Sequence, residues 1–349
     1  DVIGCICCNQ IVLPPVDRGR FDQRNDSGFG CAAVHGETIF MEILLQQIIN
    51  GLVLGSMYAL VALGYTMVYG IIKLINFAHG EVLMVGALTS WTIIGWMRDS
   101  MPGTPGWLVL LIAMLIACVV CAVINFSIEK IAYRPLRNSP KLAPLITAIG
   151  VSLLLQTLAM IIWKPNNKPY PTLLGSTPLE FGGAVITVSQ IATLGITAVA
   201  LASLTYLVNM TKLGRAMRAT AESPRVASLM GVKPDTVISA TFVIGATLAA
   251  IAGVMYATNY GTAYHTMGFL PGMKAFSAAV FGGIGNLAGA VLGGLLIGLI
   301  ESIGGGYLGR LTGGLLGSHY TEILSFLLLI VTLTLRPSGL LGERVADRA

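Results

Sequence analysis

Apolar blocks long enough to cross a lipid bilayer recur through this chain, at about 44–63, 82–97, 107–126, 142–163, 188–209, 236–257, 287–303 and 320–335. A hydrocarbon core takes roughly 20 residues as an α-helix, and inside it each backbone N–H and C=O must be satisfied within the segment, so the blocks predict helices. The 349 residues are 55% hydrophobic and 11% charged, with a mean hydropathy of +0.79. A soluble domain carries about 25% charged residues, so this chain has too little charge to coat a water-exposed surface. Two further apolar stretches, 64–77 and 274–286, are too short to cross alone. The expectation is an all-α polytopic membrane protein with about eight transmembrane helices plus two re-entrant or broken half-helices.

The net charge of +5 does not point to nucleic acid, because the basic residues form short clusters between apolar blocks and no continuous face. Lys130, Arg134, Arg137 and Lys141 crowd one loop, and Lys212, Arg215, Arg218, Arg225 and Lys233 crowd another. Such clusters favour the cytoplasmic side, which places loops 130–141 and 212–235 inside and the proline-rich stretch 164–187 outside. Arg336, Arg344 and Arg348 put the C-terminal tail, 343–349, inside too. Simple crossings by 274–302 and 320–335 would leave that tail outside. A dip-and-return over 274–303, broken at 282–286, restores the parity.

Residues 1–40 lack any membrane-length apolar run and mix Arg18, Arg20 and Arg24 with Asp17, Asp22 and Asp26. The membrane pattern begins at Met41, so the preceding stretch is expected to be a disordered extension or a mis-assigned start, dispensable for the rest of the chain. Cys5, Cys7, Cys8 and Cys31 match no established metal-ligand spacing. Cys118 and Cys121 have the CxxC spacing but lie inside an apolar block, which fits packed thiols better than a metal or redox site.

Within the apolar part, ionisable residues need a reason, because each costs a few kcal/mol in hydrocarbon. His79 and Glu81 stand beside Asn76 and Gly80. Two roles fit: a polar or proton-sensitive lining, or a lock that satisfies backbone groups freed at a helix break. On the second reading, backbone geometry at Gly80 matters more than charge at Glu81. A similar pattern of asparagine, alanine and glycine recurs at Gly283, Gly285 and Asn286, which suggests an internal repeat whose broken helices face each other near the membrane centre. The spaced pairs Gly51/Gly55, Gly289/Gly293 and Gly294/Gly298 read as helix-packing surfaces, with a subunit interface as one option, and Glu301 is expected at the water boundary.

No Gly-Lys dipeptide and hence no P-loop is present, so any ATP must be handled by another chain. The stretch TKLGRAMRATAESPRVASLMGVKPD, 211–235, combines Gly214, Arg215, Arg218, Ala219 and Glu222 with a short helix expected from Pro224 through Ala227 to Gly231. A short, partly apolar helix in an aqueous loop is shaped to dock on a partner.

From Met41 to Gly342 the chain resembles the bacterial branched-chain amino-acid ABC transporter permease family, and within it the LivH-type subunit. The resemblance rests on GYTMVYGIIKLINFAHGE (64–81), YRPLRNSPKLAPLITAIGVS (133–152), GRAMRATAESPRVASLMGV (214–232), GMKAFSAAVFGGIGNLAGA (272–290) and RPSGLLG (336–342). It implies an inner-membrane, multi-pass permease domain that pairs with a second permease subunit, two cytoplasmic ATPases carrying ATP and Mg, and a periplasmic solute-binding protein. It also implies that 214–231 couples to the ATPase and that the chain itself holds no cofactor or metal and is no enzyme. The cargo implied is Leu, Ile or Val, with urea or short amides as alternatives. A secondary amino-acid carrier using His79 and Glu81 is the competing class.

Overall fold

A computed structural model of the protein describes residues 28–342, with positions 75, 138, 141, 176–177, 182–183, 312–319 and 337 left aside. Two compact units divide the chain, Asp1–Met41 and Glu42–Ala349. Of the segment 1–40, positions 1–27 lie outside the described residues and 28–40 are helical.

The described elements are helical except for two short strand pairs. In order they are α1 Gly28–Ile72, α2 His79–Ser100, α3 Gly106–Ile128 running into a π-turn at Glu129–Tyr133, α4 Leu142–Trp163, α5 Val188–Met210, α6 Lys212–Glu222, α7 Pro224–Leu229, α8 Pro234–Tyr260, α9 Phe269–Gly282, α10 Leu287–Leu311 and α11 Thr321–Leu335. Among the described residues seven helices are long and apolar enough to cross a membrane: α1 over Met41–Ile72, α2, α3, α4, α5, α8 and α10. The eighth expected block is α11, which at 15 residues is shorter. Strands β1 (Lys168–Pro169) and β4 (Thr262–Ala263) pair, as do β2 (Pro178–Phe181) and β3 (Ala184–Thr187).

Helices α1, α2 and α8 form the buried centre, while α3, α4 and α5 turn most of their surface outward. Small residues set the central contacts. Gly86 of α2 lies against Ala250 of α8, and Gly253 of α8 against the Leu83 carbonyl, so the backbones approach as lipid-embedded helices do. The glycine pairs seen in the sequence pack within this chain: Gly51 and Gly55 meet Leu299 and Leu295 of α10, and Gly294 and Gly298 meet Ala59 and Gly55 of α1. Cys118 and Cys121 are free thiols packed on the Thr247 and Val82 carbonyls.

The two short apolar stretches resolve differently. Stretch 64–77 is mostly the end of α1, which continues to Ile72, and α2 starts at His79, whose ring lies beside Gly64. The first residues of α2, His79, Gly80 and Glu81, are all buried, so α2 begins inside the bundle. Stretch 274–286 is largely α9, a half-length helix that begins with Gly268 and Gly272 against Gly80. The turn at 283–286 is not a mid-membrane break. It lies at the bundle end, beside Gly70 of α1 and the C-terminal segment, where Leu340 and Leu341 donate backbone hydrogen bonds to the Phe281 and Gly282 carbonyls. From there α10 runs antiparallel to α1 until Ser302 Oγ donates to the Gln47 carbonyl. In place of the expected dip-and-return over 274–303 stand two separate helices, the 14-residue α9 and α10, of which α10 is long and apolar enough to cross a membrane.

Candidate functional site

Three groups of functional side chains emerge, one at each end of the bundle and one between. The buried group surrounds the head of α2. Asn76 Oδ1 accepts from the Ala78 N–H (3.1 Å) and the Tyr133 hydroxyl (2.8 Å), so a single buried amide holds the turn at 76–78 against the π-turn. His79 lies edge-on to Tyr65 with ring centroids 4.8 Å apart. Its ring lies beside Gly64, and both ring nitrogens are buried with no hydrogen-bond partner among the described residues. Glu81 points sideways to α4, where its Oε1 accepts from Gln156 Nε2 (2.7 Å) and Ser152 Oγ (3.2 Å). The lock thus belongs to Asn76, while Glu81 lines a cavity of about 100 Å³.

Gly80 is where α2 and α9 touch, since a Cβ there would stand 2.7 Å from the Gly268 carbonyl oxygen and 3.0 Å from Gly272 Cα. The break residues Gly283, Gly285 and Asn286 do not join this group. Asn286 instead donates from Nδ2 to the Leu341 carbonyl (2.9 Å) and accepts from the Gly289 N–H (3.2 Å), and Gly283 (φ +108°) and Gly285 (φ +100°) take backbone conformations that suit glycine. Asn76→Ala is expected to lower stability by about 1–3 kcal/mol, because it orphans a buried N–H and hydroxyl. Gly80→Leu is expected to cost more, having no space to enter. Melting curves of the detergent-solubilised variants check both, and wild-type melts would remove the proposed lock.

At the loop end, Thr211 Oγ1 accepts from the Gly214 N–H (3.1 Å) and starts α6; Ser223 caps α7, Pro224 occupies its first turn, and Gly231 at φ +81° ends it. The expected docking residues divide. Arg215, Arg218, Ala219, Glu222 and Gly231 are exposed. Gly214 is buried against the Leu207 and Val208 carbonyls, Ala227 is buried too, and Arg218 donates to the Val208 carbonyl at the end of α5. Leu229 and Met230 are 86% and 81% exposed and form an apolar tip. Behind the loop, Glu129 of the π-turn is fully buried and bonded to Arg137 and to Ser239 Oγ (2.7 Å), while Arg137 also holds Asp235 (2.6 Å) at the start of α8. Arg137, assigned from sequence only to topology, therefore fastens α3 to α8.

At the opposite end, a cavity of about 580 Å³ is lined by polar groups that include Asn50, Gln190, Asn259 and Glu301. Lys274 of α9 reaches its wall, bonded to Glu301 (2.6 Å) and approached by Glu322 (3.4 Å), and the Tyr58 hydroxyl donates to Glu301 (3.1 Å). Glu301 thus stands within α10 on a cavity wall, not at the end of its helix. The signal for Lys274 was its position inside an apolar stretch. Its partners come from segments 27 and 48 residues away, which no local pattern reveals.

Residues 47–333 match the family described as branched-chain amino acid transport system / permease component. The chain is 44% identical over 313 residues to the high-affinity branched-chain amino acid transport system permease protein BraD of Pseudomonas aeruginosa, covering 87% of this chain and 97% of that protein. It is 43% identical over 308 residues to the permease protein LivH of the corresponding Escherichia coli system, with the same coverage. Among solved structures, PsaBC from Streptococcus pneumoniae in complex with Fab matches at 14% identity and a TM-score of 0.40, covering 85% of this chain and 92% of that one.

Proposed function

Because this chain belongs to the family of permease components of branched-chain amino acid transport systems, we propose that it is the membrane-spanning subunit of an ATP-driven importer of Leu, Ile, Val or related amino acids. The carrying observation is the division of the bundle: a cavity of about 580 Å³ with both polar and apolar walls at one end and an exposed loop at the other, joined by helices whose outer faces suit lipid. On this reading the cavity receives amino acid from a periplasmic binding protein, and the loop end faces the cytoplasm of a bacterial inner membrane, as its arginines favour. The exposed part of α6–α7 seats on one of two cytoplasmic ATPases, which hold ATP and Mg. A second permease subunit completes the path.

The geometry supports coupling through two struts. Arg218 ties α6 to the end of α5, and Asp235 ties the exit of the loop through Arg137 to Glu129 and α3. A pull on the loop would move α5, α8 and α3 as rigid bodies, in keeping with rocking of helix bundles about a central path.

Reconstitution of the permease pair, ATPases and binding protein in vesicles tests the reading. Leucine uptake is expected to require ATP and binding protein and to proceed without an ion gradient. Uptake driven by a proton or sodium gradient in the absence of ATP would favour the carrier alternative, and preferential uptake of urea or a short amide would change the cargo.

A further inference from the structure

The hydrogen bonds around the larger cavity leave two of its side chains with one open valence each. Gln46 of α1 accepts from the Val185 N–H of β3 (2.8 Å), so its oxygen is taken and its Nε2 donates to Asn50 Oδ1 (3.2 Å). Gln190 accepts from the Thr187 N–H (3.0 Å) in the cap of α5, so its Nε2 likewise donates to Asn50 Oδ1 (3.1 Å). Two donors on one oxygen fix the amide of Asn50, whose Nδ2 keeps no hydrogen-bond partner among the described residues. Asn259 is fixed the other way. Its Nδ2 donates to the Met255 carbonyl (2.8 Å) and to Thr193 Oγ1 (2.7 Å), whose own proton goes to the Ser189 carbonyl (2.8 Å), so Oδ1 is left to accept. Neither open atom is sealed in the interior, and both residues line the cavity of about 580 Å³.

Asn50 and Asn259 lean on the first two turns of α5, through Gln190 and Thr193, which sets a free N–H and a free carbonyl oxygen on the same side of the cavity. One and two turns further along α1 from Asn50, Val53, Leu54 and Met57 form an apolar wall, which Leu174 of the external loop extends. Glu301, the one carboxylate among the described lining residues, is already balanced by Lys274, and no Lys or Arg is among them. A donor, an acceptor and an apolar wall without net charge suit a small zwitterion with an aliphatic body. We propose that Asn50 and Asn259 form the polar end of a binding subsite for an aliphatic amino acid entering the permease, with the α-carboxylate on Asn50 Nδ2, the α-ammonium on Asn259 Oδ1 and the side chain against Leu54 and Leu174. Neutral amides grip the charged ends less than an Arg or a Glu would, which suits a site that must pass its ligand on. The proposal rests on the importer reading and names the residues that hold the cargo and choose its side chain. It also makes the outer hairpin part of the site, since Val185 and Thr187 set the direction in which Asn50 donates.

The test uses the complete importer in vesicles, with one binding protein throughout, complexes matched for ATPase content, and labelled leucine and valine as probes. Asn50→Asp keeps the oxygen that receives Gln46 and Gln190 but exchanges the open donor for a carboxylate oxygen, which repels the α-carboxylate. It is expected to lower leucine uptake about ten-fold or more while melting like wild type. Leu174 lies in the loop before β2, so Leu174→Trp leaves the helices intact. It narrows the apolar wall and is expected to shift the leucine-over-valine preference about ten-fold toward valine, a change that a purely structural role would not produce. Leucine uptake at the wild-type rate by an inserted Asn50→Asp complex refutes the subsite and leaves the importer reading standing. Should Asn50→Asp insert poorly or melt early, an unchanged preference in Leu174→Trp refutes it likewise. A wild-type complex that imports no aliphatic amino acid under ATP overturns both.

Discussion

Lys274→Ala is expected to be among the most damaging single changes in this protein. The Lys274 side chain is 7% exposed and bonds at 2.6 Å to Glu301, itself 15% exposed. Removing the ammonium leaves the Glu301 carboxylate in the bundle, bonded by the Tyr58 hydroxyl but without its cation, and breaking such a buried pair from one side costs about 3–5 kcal/mol. Glu322, further away and closer to water, contributes less. The expected result is low membrane yield and a lowered melting temperature. Lys274→Glu combined with Glu301→Lys should recover part of both, because it restores opposite charges across the same contact. Wild-type melting of Lys274→Ala, or a swap no better than the single change, would show that the pair does not hold α9 to α10.

The second large effect is expected at the α6–α7 loop, and there it should appear in assembly while leaving stability alone. Leu229 and Met230 lie on the tip, and Arg215 on the exposed face of α6. Exposed apolar residues flanked by a guanidinium make a compact docking anchor. Changing Leu229 and Met230 together to Glu, or Arg215 to Glu, should leave melting intact and reduce co-purification of the ATPase about thirty-fold, the equivalent of roughly 2 kcal/mol at an interface hot spot. Full retention of the ATPase in both variants would leave the loop with a topological role only. Gly231 is a poorer probe, since a side chain at φ +81° strains the turn itself. Gly214 and Ala227 are also unsuitable, because they are buried against this chain's own backbone and core.

How far the site was legible in the sequence depended on whether its partners were local. The α7 turn was legible: Ser223, Pro224 and Gly231 carry the chemistry of a helix start and stop within nine positions. The importance of 76–81 was legible too, because an amide, an imidazole and a carboxylate in an apolar run cannot be incidental. Their separate duties were not. Asn76 became the lock because Tyr133, 57 residues later, brought its hydroxyl within reach, and Glu81 faced a cavity because α4 placed Ser152 and Gln156 on one of its oxygens. Arg218 is exposed, as expected of a loop cation, and the bond that its guanidinium also gives the Val208 carbonyl at the end of α5 is one that no local pattern reveals.

By itself, the sequence determined the placing of the seven long helices, because lipid forces each segment to satisfy its own backbone and so makes run length a guide, while the eighth expected block became the shorter α11. It also determined which loops are basic and which helices can pack closely through glycine. Only the tertiary structure decided the depth of the breaks. Asparagine and glycine interrupt a helix equally well at 76–80 and at 283–286, yet the first lies inside the bundle against Gly268 and Gly272 and the second at its end against the C-terminal segment. Depth follows from which distant segment covers the freed backbone groups, and that is a property of packing across the whole chain.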